Sequence, residues 1–398
     1  MRLDNSIPVP SIFVLARTKS PRHDSGKEDH CVMPDENPAS EPSGPRPPRR
    51  RRYKGTHPQH FDEKYKEHDP ARYPDTMAKV IASGKTPAGT HRPILVDEVL
   101  RVLAPKPGET VVDATVGYGG HAQELWRAVQ PGGQLLALDV DPLELPKTEA
   151  RLREAGLPEN ACRFRQGNFA GLARLLAAEG IPGADVILAD LGVSSMQLDD
   201  PKRGFSYKHH ALLDLRMNPK HGPLGGMLLS ALNPDRLARL LERNADEPNA
   251  RMLAEGLVEI EETEPLLWTT ALAKAVRRVL AAQGRPLVKE TCDATIRRVF
   301  QALRVEVNDE FSALETFLRY LPECLKPGGR VAILTFHSGE DRRVKFFFEE
   351  GRRKGAYAHI AEEITRPSRE EVRANPRSSS AKLRWAVRAT DSTTSLSS

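Results

Sequence analysis

Cysteine is scarce in this chain of 398 residues, and long apolar runs are absent. No apolar run approaches the ~18 residues that a membrane-spanning helix needs, so we expect no membrane partner. The apolar patch Ile12–Ala16 is too short for a secretory leader, which favours a cytoplasmic protein. The few cysteines lie far apart and form no C-x-x-C pair, so that neither a disulfide framework nor a metal site is expected; they are Cys31, Cys162, Cys292 and Cys324.

An excess of one charge is also lacking. The net charge is only +5, and most of it falls within residues 1–90. A nucleic acid would therefore be held by local basic patches and not by a strong overall field. Residues 1–90 are rich in proline, serine and charge, so we expect a disordered basic extension there, and a disordered tail over residues 389–398. Within the extension, Arg46–Lys54 is either an arm that contacts RNA phosphates or a solvated segment.

The most informative stretch is Thr110–His121, which reads TVVDATVGYGGH. Two β-branched residues are followed by an acid, by glycines and then by a predicted helix over Ala122–Val129. A strand, a glycine turn and a helix form the nucleotide pocket of a doubly wound sheet, because glycine backbone approaches a ligand closely and the helix N-terminus has free N–H groups. Gly119 and Gly120 are the glycines nearest that helix.

Carboxylates accompany these glycines, which disfavours a phosphate ligand. Asp113 precedes the glycines, and a loop that binds an anion avoids acids. A cationic ligand such as S-adenosylmethionine fits better, and its ribose hydroxyls need an acid at the end of the next strand, where Asp139 stands. The alternatives are an incidental acid in another Rossmann-like unit and a nicotinamide dehydrogenase, which the glycine spacing disfavours because it is not G-x-G-x-x-G.

Two later strands end in further candidate residues. The predicted third strand, Cys162–Gln166, leads to Phe169, which either stacks on the adenine of the ligand or packs in the core. The run Asp185–Asp190 reads as a buried strand that ends in a carboxylate, at the edge where such sheets bind ligands. Asp190 is therefore the candidate catalytic residue that accepts a proton from the methyl acceptor, unless its role is only to bind the cofactor.

The alternation of strands and helices stops between about Leu228 and Leu303 and resumes with a strand at Arg330–Thr335. The fold class is therefore α/β, with a Rossmann-like class I methyltransferase sheet and an inserted helical domain. We assign residues 91–200 and 304–388 to the methyltransferase domain and residues 201–303 to a helical insertion that recognises the substrate. The predicted helices of the insertion are Pro234–Glu242, Ala250–Glu261, Thr269–Ala282 and Asp293–Leu303; after the insertion we predict a helix at Glu340–Glu350 with Phe346, Phe347 and Phe348 packing inward, and a last strand at Leu383–Arg388.

Taken together, the motifs resemble the bacterial 16S ribosomal RNA cytosine-N4 methyltransferase family of the RsmH or MraW type. The resemblance covers about residues 91–388 and rests on these blocks, which stand in the family's order: HRPILVDEVL, DATVGYGGH, LALDVDP, DLGVSSMQLDD, RGFSY, LDLRM, VNDEF, LKPGGRVAILTFHSGEDRRVKFFF and NPRSSSAKLR. It implies transfer of methyl from S-adenosylmethionine to the exocyclic amine of one cytidine in the decoding region. The implied partner is 16S rRNA in the small ribosomal subunit, with a homodimer as one option for the assembly.

The resemblance also implies site residues. The family's cofactor contacts fall on Gly119, Gly120, His121, Asp139, Phe169, Asp190 and Gln197, of which His121 and Gln197 come from the resemblance alone. A target base must leave its stack to be methylated, and the candidates to hold the substrate are Arg203, Tyr207, Arg216 and His337. For the two arginines an ordinary salt bridge is the alternative. Methyl transfer from a sulfonium requires no metal.

Two departures from the family's pattern concern the grip on RNA. His209-His210-Ala211 stands where the family usually has Asp-Gly-Pro, and Gly339 stands where it usually has Leu. The cofactor residues are unaffected. The departures keep open an RNA-binding ribosome-assembly factor with altered or lost methyltransferase activity, and a protein or a small molecule also remains as an alternative methyl acceptor.

Overall fold

A computed structural model describes residues 93–282, 284 and 288–390 of the chain. The predicted basic extension and nearly all of the predicted tail lie outside these residues. In the described part, no helix combines the length and the apolar character that crossing a membrane requires. The cysteines of this part, Cys162, Cys292 and Cys324, are buried and free.

One seven-stranded sheet forms the centre of the fold, with the strand order β3-β2-β1-β4-β5-β7-β6. Strands β1 to β5 are mutually parallel, and β7 pairs antiparallel with both β5 and β6. The order reverses between β1 and β4, which is where such sheets bind ligands. The predicted α/β fold class is thus confirmed. The strands are β1 Thr110–Asp113, β2 Gln134–Asp139, β3 Cys162–Gln166, β4 Ala184–Asp190, β5 Leu325–Thr335, β6 Tyr357–Ile360 and β7 Lys382–Arg388.

Thirteen α-helices connect and cover these strands in the described residues. Those N-terminal to β4 are α1 Val96–Leu103, α2 Gly120–Ala128, α3 Leu145–Glu154 and α4 Leu172–Ala178. Those between β4 and β5 are α5 Ser195–Asp199, α6 Gly225–Ser230, α7 Pro234–Ala245, α8 Ala250–Thr263, α9 Thr269–Ala281, α10 Lys289–Val307 and α11 Glu310–Cys324. The remaining two are α12 Ser338–Arg353 and α13 Arg369–Ala374.

Apolar side chains alternate across the sheet and build a core on each face, as the period of a strand requires. Val111 packs in the core that contains α1 and α2, whereas its neighbour Val112 packs in the core that contains α4 and α11. Leu95, Val99 and Leu103 recur at helical spacing before β1, and all three residues are buried. Two covered faces hold the parallel strands rigid, so that their carboxyl ends meet along one edge.

Helices α6 to α10 form a separate hydrophobic cluster, with Leu241, Leu257 and Leu303 completely buried in it. The predicted helices of the insertion are confirmed, although α10 extends to Lys289 and Val307, beyond the predicted Asp293–Leu303. The proposed domain boundaries at residues 200 and 304 stay a prediction.

In the C-terminal region one prediction was wrong, and one strand had no prediction. Phe346 is 56% exposed, because three successive residues of a helix point in directions about 100° apart, and only Phe348 is fully buried. Strand β6 was not predicted, because its four residues place only Tyr357 in the core. It is stabilised by pairing with β7, which lies distant in sequence.

Candidate functional site

A cavity of about 1520 Å³ opens at the carboxyl ends of β1, β2 and β4. Its volume exceeds the roughly 300–1,000 Å³ of a site for one small ligand, so it has room for a cofactor and part of a second substrate. One wall comes from the sheet, and the opposite wall comes from α10 and the loop after it. The predicted site residues that line it are Gly119, Gly120, His121, Asp139, Phe169, Asp190, Gln197 and Tyr207.

The glycine turn is built for close packing as much as for ligand approach. Gly119 has a φ of +88°, and a Cβ there would lie 2.8 Å from Leu152. A Cβ at Gly120 would lie 2.3 Å from the ring of Pro93. The sequence argument assigned both glycines to ligand approach, but these contacts show that they also let α3 and the segment before α1 pack on the turn. At Gly117, where φ is +48°, a Cβ would meet within 4 Å only the carbonyl oxygen of Thr115, at 3.8 Å.

Asp139 is held in place by backbone hydrogen bonds. Its Oδ2 accepts from the Gly117 N–H at 2.8 Å, and its Oδ1 accepts from the Asp141 N–H at 2.9 Å. Burial nonetheless raises the pKa of Asp139 to about 6. Asp113, at the end of β1, is almost fully buried, and burial raises its pKa to about 7, with the neighbouring Asp139 adding to the effect. The two acids thus lie at one edge of the sheet in a poorly solvated place.

Asp190 and His121 lie side by side beneath the cavity. His121 Nε2 is 3.7 Å from Asp190 Oδ2, and 28% of the Asp190 side chain is exposed. Burial raises the pKa of Asp190 to about 8, and the charges of Asp113 and Glu340 contribute to this increase. Burial lowers the pKa of His121 to about 4, so the imidazole is neutral at pH 7. Asp190 Oδ1 and His121 Nε2 have no hydrogen-bond partner among the described residues.

Asp141 organises the loop that follows β4. It is almost completely buried, and its Oδ2 accepts from Gln197 Nε2 at 2.8 Å and from Arg203 at 2.7 Å. Arg203 also donates to the carbonyls of Arg216 and Met217. Gln197 lines the cavity through this arrangement, whereas the guanidinium of Arg203 is buried behind the wall. A contact between Arg203 and a substrate stays a prediction.

Aromatic rings form the sides of the cavity. Phe169 packs edge-on against Phe317 with ring centroids 5.4 Å apart, so it is a core residue that also faces the cavity. Tyr207 packs against Phe300 of α10 with centroids 5.8 Å apart. Arg297, one turn before Phe300 on the same helix, lines the cavity, is exposed and makes no ion pair with the described residues.

The other two predicted substrate residues do not line the cavity. Arg216 is paired with Asp214 at 2.6 Å, which is the salt-bridge alternative noted above. His337 lies 3.2 Å from Glu340, next to an ion pair between Arg304 and Glu310. Contacts of Arg216 and His337 with a substrate stay predictions.

Several residues of the site have weak sequence signals. Glu340 is buried, and although burial opposes ionisation, the charges of His337 and Arg304 and the hydrogen bond from the Phe336 N–H lower its pKa. The sequence feature that could have identified Glu340 is its place in the first turn of a helix that follows a strand, where an acidic residue complements the helix dipole. Asp141 has no local signal, since its partners Gln197 and Arg203 lie 56 and 62 residues away. Glu310, His337 and Glu340 have ligand-type atoms within 4.8 Å of one another, but Arg304 already binds Glu310.

The site fits a cationic nucleoside cofactor. Asp113, Asp139 and Asp190 have raised pKa values, and no Lys or Arg of the described residues pairs with any of them. A ligand that carries positive charge would supply the missing counter-charge and return the acids to their ionised form. The buried and unpartnered Asp190 Oδ1 marks a place where a hydrogen-bond donor of a ligand would be satisfied.

Comparison with known proteins supports the same interpretation. The model of the MraW methylase family matches residues 88–389. Ribosomal RNA small subunit methyltransferase H 1 of Lachnoclostridium phytofermentans is 46% identical over 342 residues, which cover 86% of this chain and 93% of that protein. Ribosomal RNA small subunit methyltransferase H 2 of Alkaliphilus metalliredigens is 46% identical over 342 residues, which cover 86% of this chain and 97% of that protein. The similarity therefore includes both walls of the cavity.

Proposed function

Because the chain belongs to the MraW methylase family, we propose that it methylates small-subunit ribosomal RNA with S-adenosylmethionine as the methyl donor. The methyl acceptor is the N4 amine of a cytidine in the decoding region of 16S rRNA. The relatives named above, which are ribosomal RNA small subunit methyltransferases by name, support the RNA substrate. A ribosomal substrate also agrees with the predicted cytoplasmic location.

The observation that carries this proposal is the continuity of one cavity. Its sheet side has the glycine turn and Asp139, and its helical side has Tyr207 and Phe300. Asp190 and its neighbour His121 lie among the lining residues. A cofactor bound on the sheet side and a base placed against the aromatic side chains of the helical side would therefore meet at Asp190.

Residues on the sheet side hold the cofactor. Asp139 would accept hydrogen bonds from the ribose hydroxyls, because its carboxylate is already oriented by two backbone N–H groups and keeps free lone pairs. Asp113 would supply negative charge beside the glycine turn, and Phe169, which lines the cavity, would contact the adenine. The cofactor supplies an electrophilic methyl group on a sulfonium. The protein contributes by positioning the acceptor and excluding water.

Asp190 acts as the general base for the acceptor amine. The lone pair of cytosine N4 is delocalised into the ring, so the amine must be turned before the lone pair can reach the methyl group. The carboxylate of Asp190 accepts a hydrogen bond from N4–H, favours the required orientation and takes the proton as the new bond forms. The neutral His121 beside Asp190 does not compete with the substrate by forming a strong ion pair.

The helical side holds the target nucleotide. Tyr207 and Phe300 offer apolar faces to an unstacked base. Arg297 offers a guanidinium to a phosphate at the rim, since it has no partner among the described residues. Three other arginines of the helical cluster already form ion pairs: Arg277 with Asp293, Arg278 with Glu264, and Arg298 with Glu247.

The decisive experiment uses purified protein, radiolabelled S-adenosylmethionine and small ribosomal subunits that lack the modification. We expect label in N4-methylcytidine after digestion of the RNA to nucleosides. Label in another nucleoside would support RNA methyltransferase activity but would refute cytidine N4 as the methyl acceptor. Binding of cofactor and RNA without any label would instead support the assembly factor with lost activity.

A further inference from the structure

The aromatic pair His210 and Trp268 lies on the surface of the helical cluster. The rings are stacked with centroids 4.6 Å apart and planes 17° apart. Trp268 is 43% exposed, and His210 is exposed as well. A tryptophan normally buries most of its large apolar surface, so an exposed and ordered tryptophan face indicates a binding surface.

The stacked pair is held rigidly. His210 Nδ1 is 2.6 Å from Thr270 Oγ1, which fixes the plane of the imidazole. The Thr269 hydroxyl donates to the carbonyl of His209 at 2.6 Å and accepts from the Ala211 N–H at 3.1 Å. Residues His209 to Ala211, which depart from the family's pattern, are therefore tied to the beginning of α9. A platform that is ordered before binding loses little entropy when a ligand stacks on it.

The pair lies at the rim of the cavity described above. His209 and Lys208, the two residues that precede His210, both line that cavity. Lys208 is exposed and, like Arg297, makes no ion pair with the described residues. The phosphates of an RNA strand that enters the cavity would contact Lys208 and Arg297. The base next to the methylated nucleotide would then lie beside Trp268.

We propose that His210 and Trp268 form a stacking platform for an unpaired base of the RNA strand that flanks the target nucleotide. The proposal rests on the proposed function, because it takes the cavity as the site of the methyl acceptor. Exposed aromatic faces beside unpaired cations are the features that bind single-stranded nucleic acid, since every base offers a π face and every phosphate a charge. The neighbouring exposed Leu212 and Leu267 extend the apolar border of the platform.

The test compares the full-length protein with the variants Trp268→Ala and Trp268→Phe. Small ribosomal subunits that lack the modification are the substrate, and KM, kcat and the cofactor dissociation constant are measured. We expect Trp268→Ala to raise KM about 5-fold to 100-fold, because the variant loses the stacking of one base. The values of kcat and of the cofactor dissociation constant should not change. Trp268→Phe retains a ring and should recover most of the affinity.

The matched control is Phe346→Ala, which removes an exposed aromatic side chain from α12. It should leave KM within about twofold of the unaltered protein. His210→Ala is the second variant of the platform, in case Trp268→Ala disturbs the beginning of α9, and it should also raise KM.

A second readout does not depend on catalysis. Tryptophan fluorescence is titrated with a single-stranded RNA oligonucleotide, and the signal of Trp268→Phe is subtracted to isolate Trp268. We expect quenching by the RNA. If neither quenching nor a change in RNA affinity is seen, the platform is refuted whether or not the protein methylates RNA. Quenching by the RNA without methyl transfer would support the platform and refute the proposed function. Quenching by a small-subunit protein but not by the RNA would assign the surface to a protein partner and overturn the proposal.

Discussion

The ionisation of Asp190 links activity to stability at the level of one residue. Burial raises the pKa of Asp190 to about 8 from an ordinary value of 3.8. The folded cofactor-free protein therefore binds this proton more tightly than the unfolded chain does. The resulting stabilisation is complete below pH 4 and is lost as the pH rises through 8.

We predict that Asp190→Asn removes this pH-dependent loss. At pH 8 the cofactor-free variant should be more stable than the unaltered protein by about 1–2 kcal/mol, while methyl transfer falls by at least about 100-fold. Thermal unfolding at pH 5 and pH 8 measures the first effect, and the labelling assay measures the second. The control Asp235→Asn, at an exposed carboxylate of α7, should change neither. Near-normal turnover of Asp190→Asn would remove Asp190 from the chemistry.

Cofactor affinity should depend on pH for the same physical reason. A cationic ligand binds better to ionised acids, and the pKa values of Asp139, Asp113 and Asp190 are about 6, 7 and 8. We therefore expect the affinity for S-adenosylmethionine to rise from pH 6 to pH 8, with protons released on binding. Calorimetry in two buffers of different ionisation enthalpy counts these protons. S-adenosylhomocysteine, which lacks the sulfonium charge, should release fewer; equal release by both ligands would contradict the argument.

These acids were predictable from the sequence because each ends an apolar strand, and the carboxyl ends of parallel strands share one edge. The role of Arg203 was not predictable in the same way. Its guanidinium binds Asp141, 62 residues away, and only the folded chain shows that this bond holds the loop after β4 in place. Local sequence identifies where a charged residue stands in a strand or loop, but not which distant group satisfies it.

At the scale of elements, Gly339 sets the packing between α11 and α12. A Cβ at this position would lie 2.6 Å from Cζ of Phe311 and 3.2 Å from Nδ1 of His337. Phe311 is buried beneath the helix and carries the guanidinium of Arg343 on its ring, 3.5 Å from the centroid. The leucine that is usual in the family cannot be accommodated here unless Phe311 moves.

We predict that Gly339→Leu destabilises the protein by about 2–3 kcal/mol through overpacking. Urea unfolding measures the effect. Gly171→Ala is the control, because a Cβ there meets no atom within 4 Å. If the clash with Phe311 is the cause, then combining Gly339→Leu with Phe311→Ala should cost less than the sum of the two single changes. Additive costs would refute this cause.

The elements themselves were largely predictable, and the errors have a clear pattern. Long apolar strands such as β4 and long amphipathic helices such as α7 carry their own signal, because burial on a fixed period decides their structure. Strand β6 carries little signal, since it is short, lies at the sheet edge and depends on β7. The three phenylalanines of α12 were assigned inward from their hydrophobicity alone, and the helical period excludes that arrangement.

At the scale of the whole molecule, polar contacts join the helical cluster to the sheet and keep the two walls of the cavity together. Asp246, which follows α7, forms a two-bond ion pair with Arg342 of α12 and accepts a hydrogen bond from Ser338. Within the helical cluster, Asn308, which follows α10, accepts a hydrogen bond from the Met217 N–H and donates one to the carbonyl of Leu215. The family match begins at residue 88.

The segment before that match lies outside the described residues, and we expect it to add RNA affinity without altering the site. Arg46–Lys54 contains six basic residues. We predict that deleting residues 1–87 weakens RNA binding but leaves kcat and cofactor affinity unchanged. The slope of log affinity against log salt concentration should become shallower by up to about 4, because each phosphate contact on a single strand contributes about 0.7. The control is the full-length chain with these six residues changed to serine, which should show the same slope as the deletion. Equal salt-dependence slopes for the deleted and the complete chain would mean that Arg46–Lys54 contacts no phosphate. The electrostatic part of RNA binding would then come from the rim of the cavity alone.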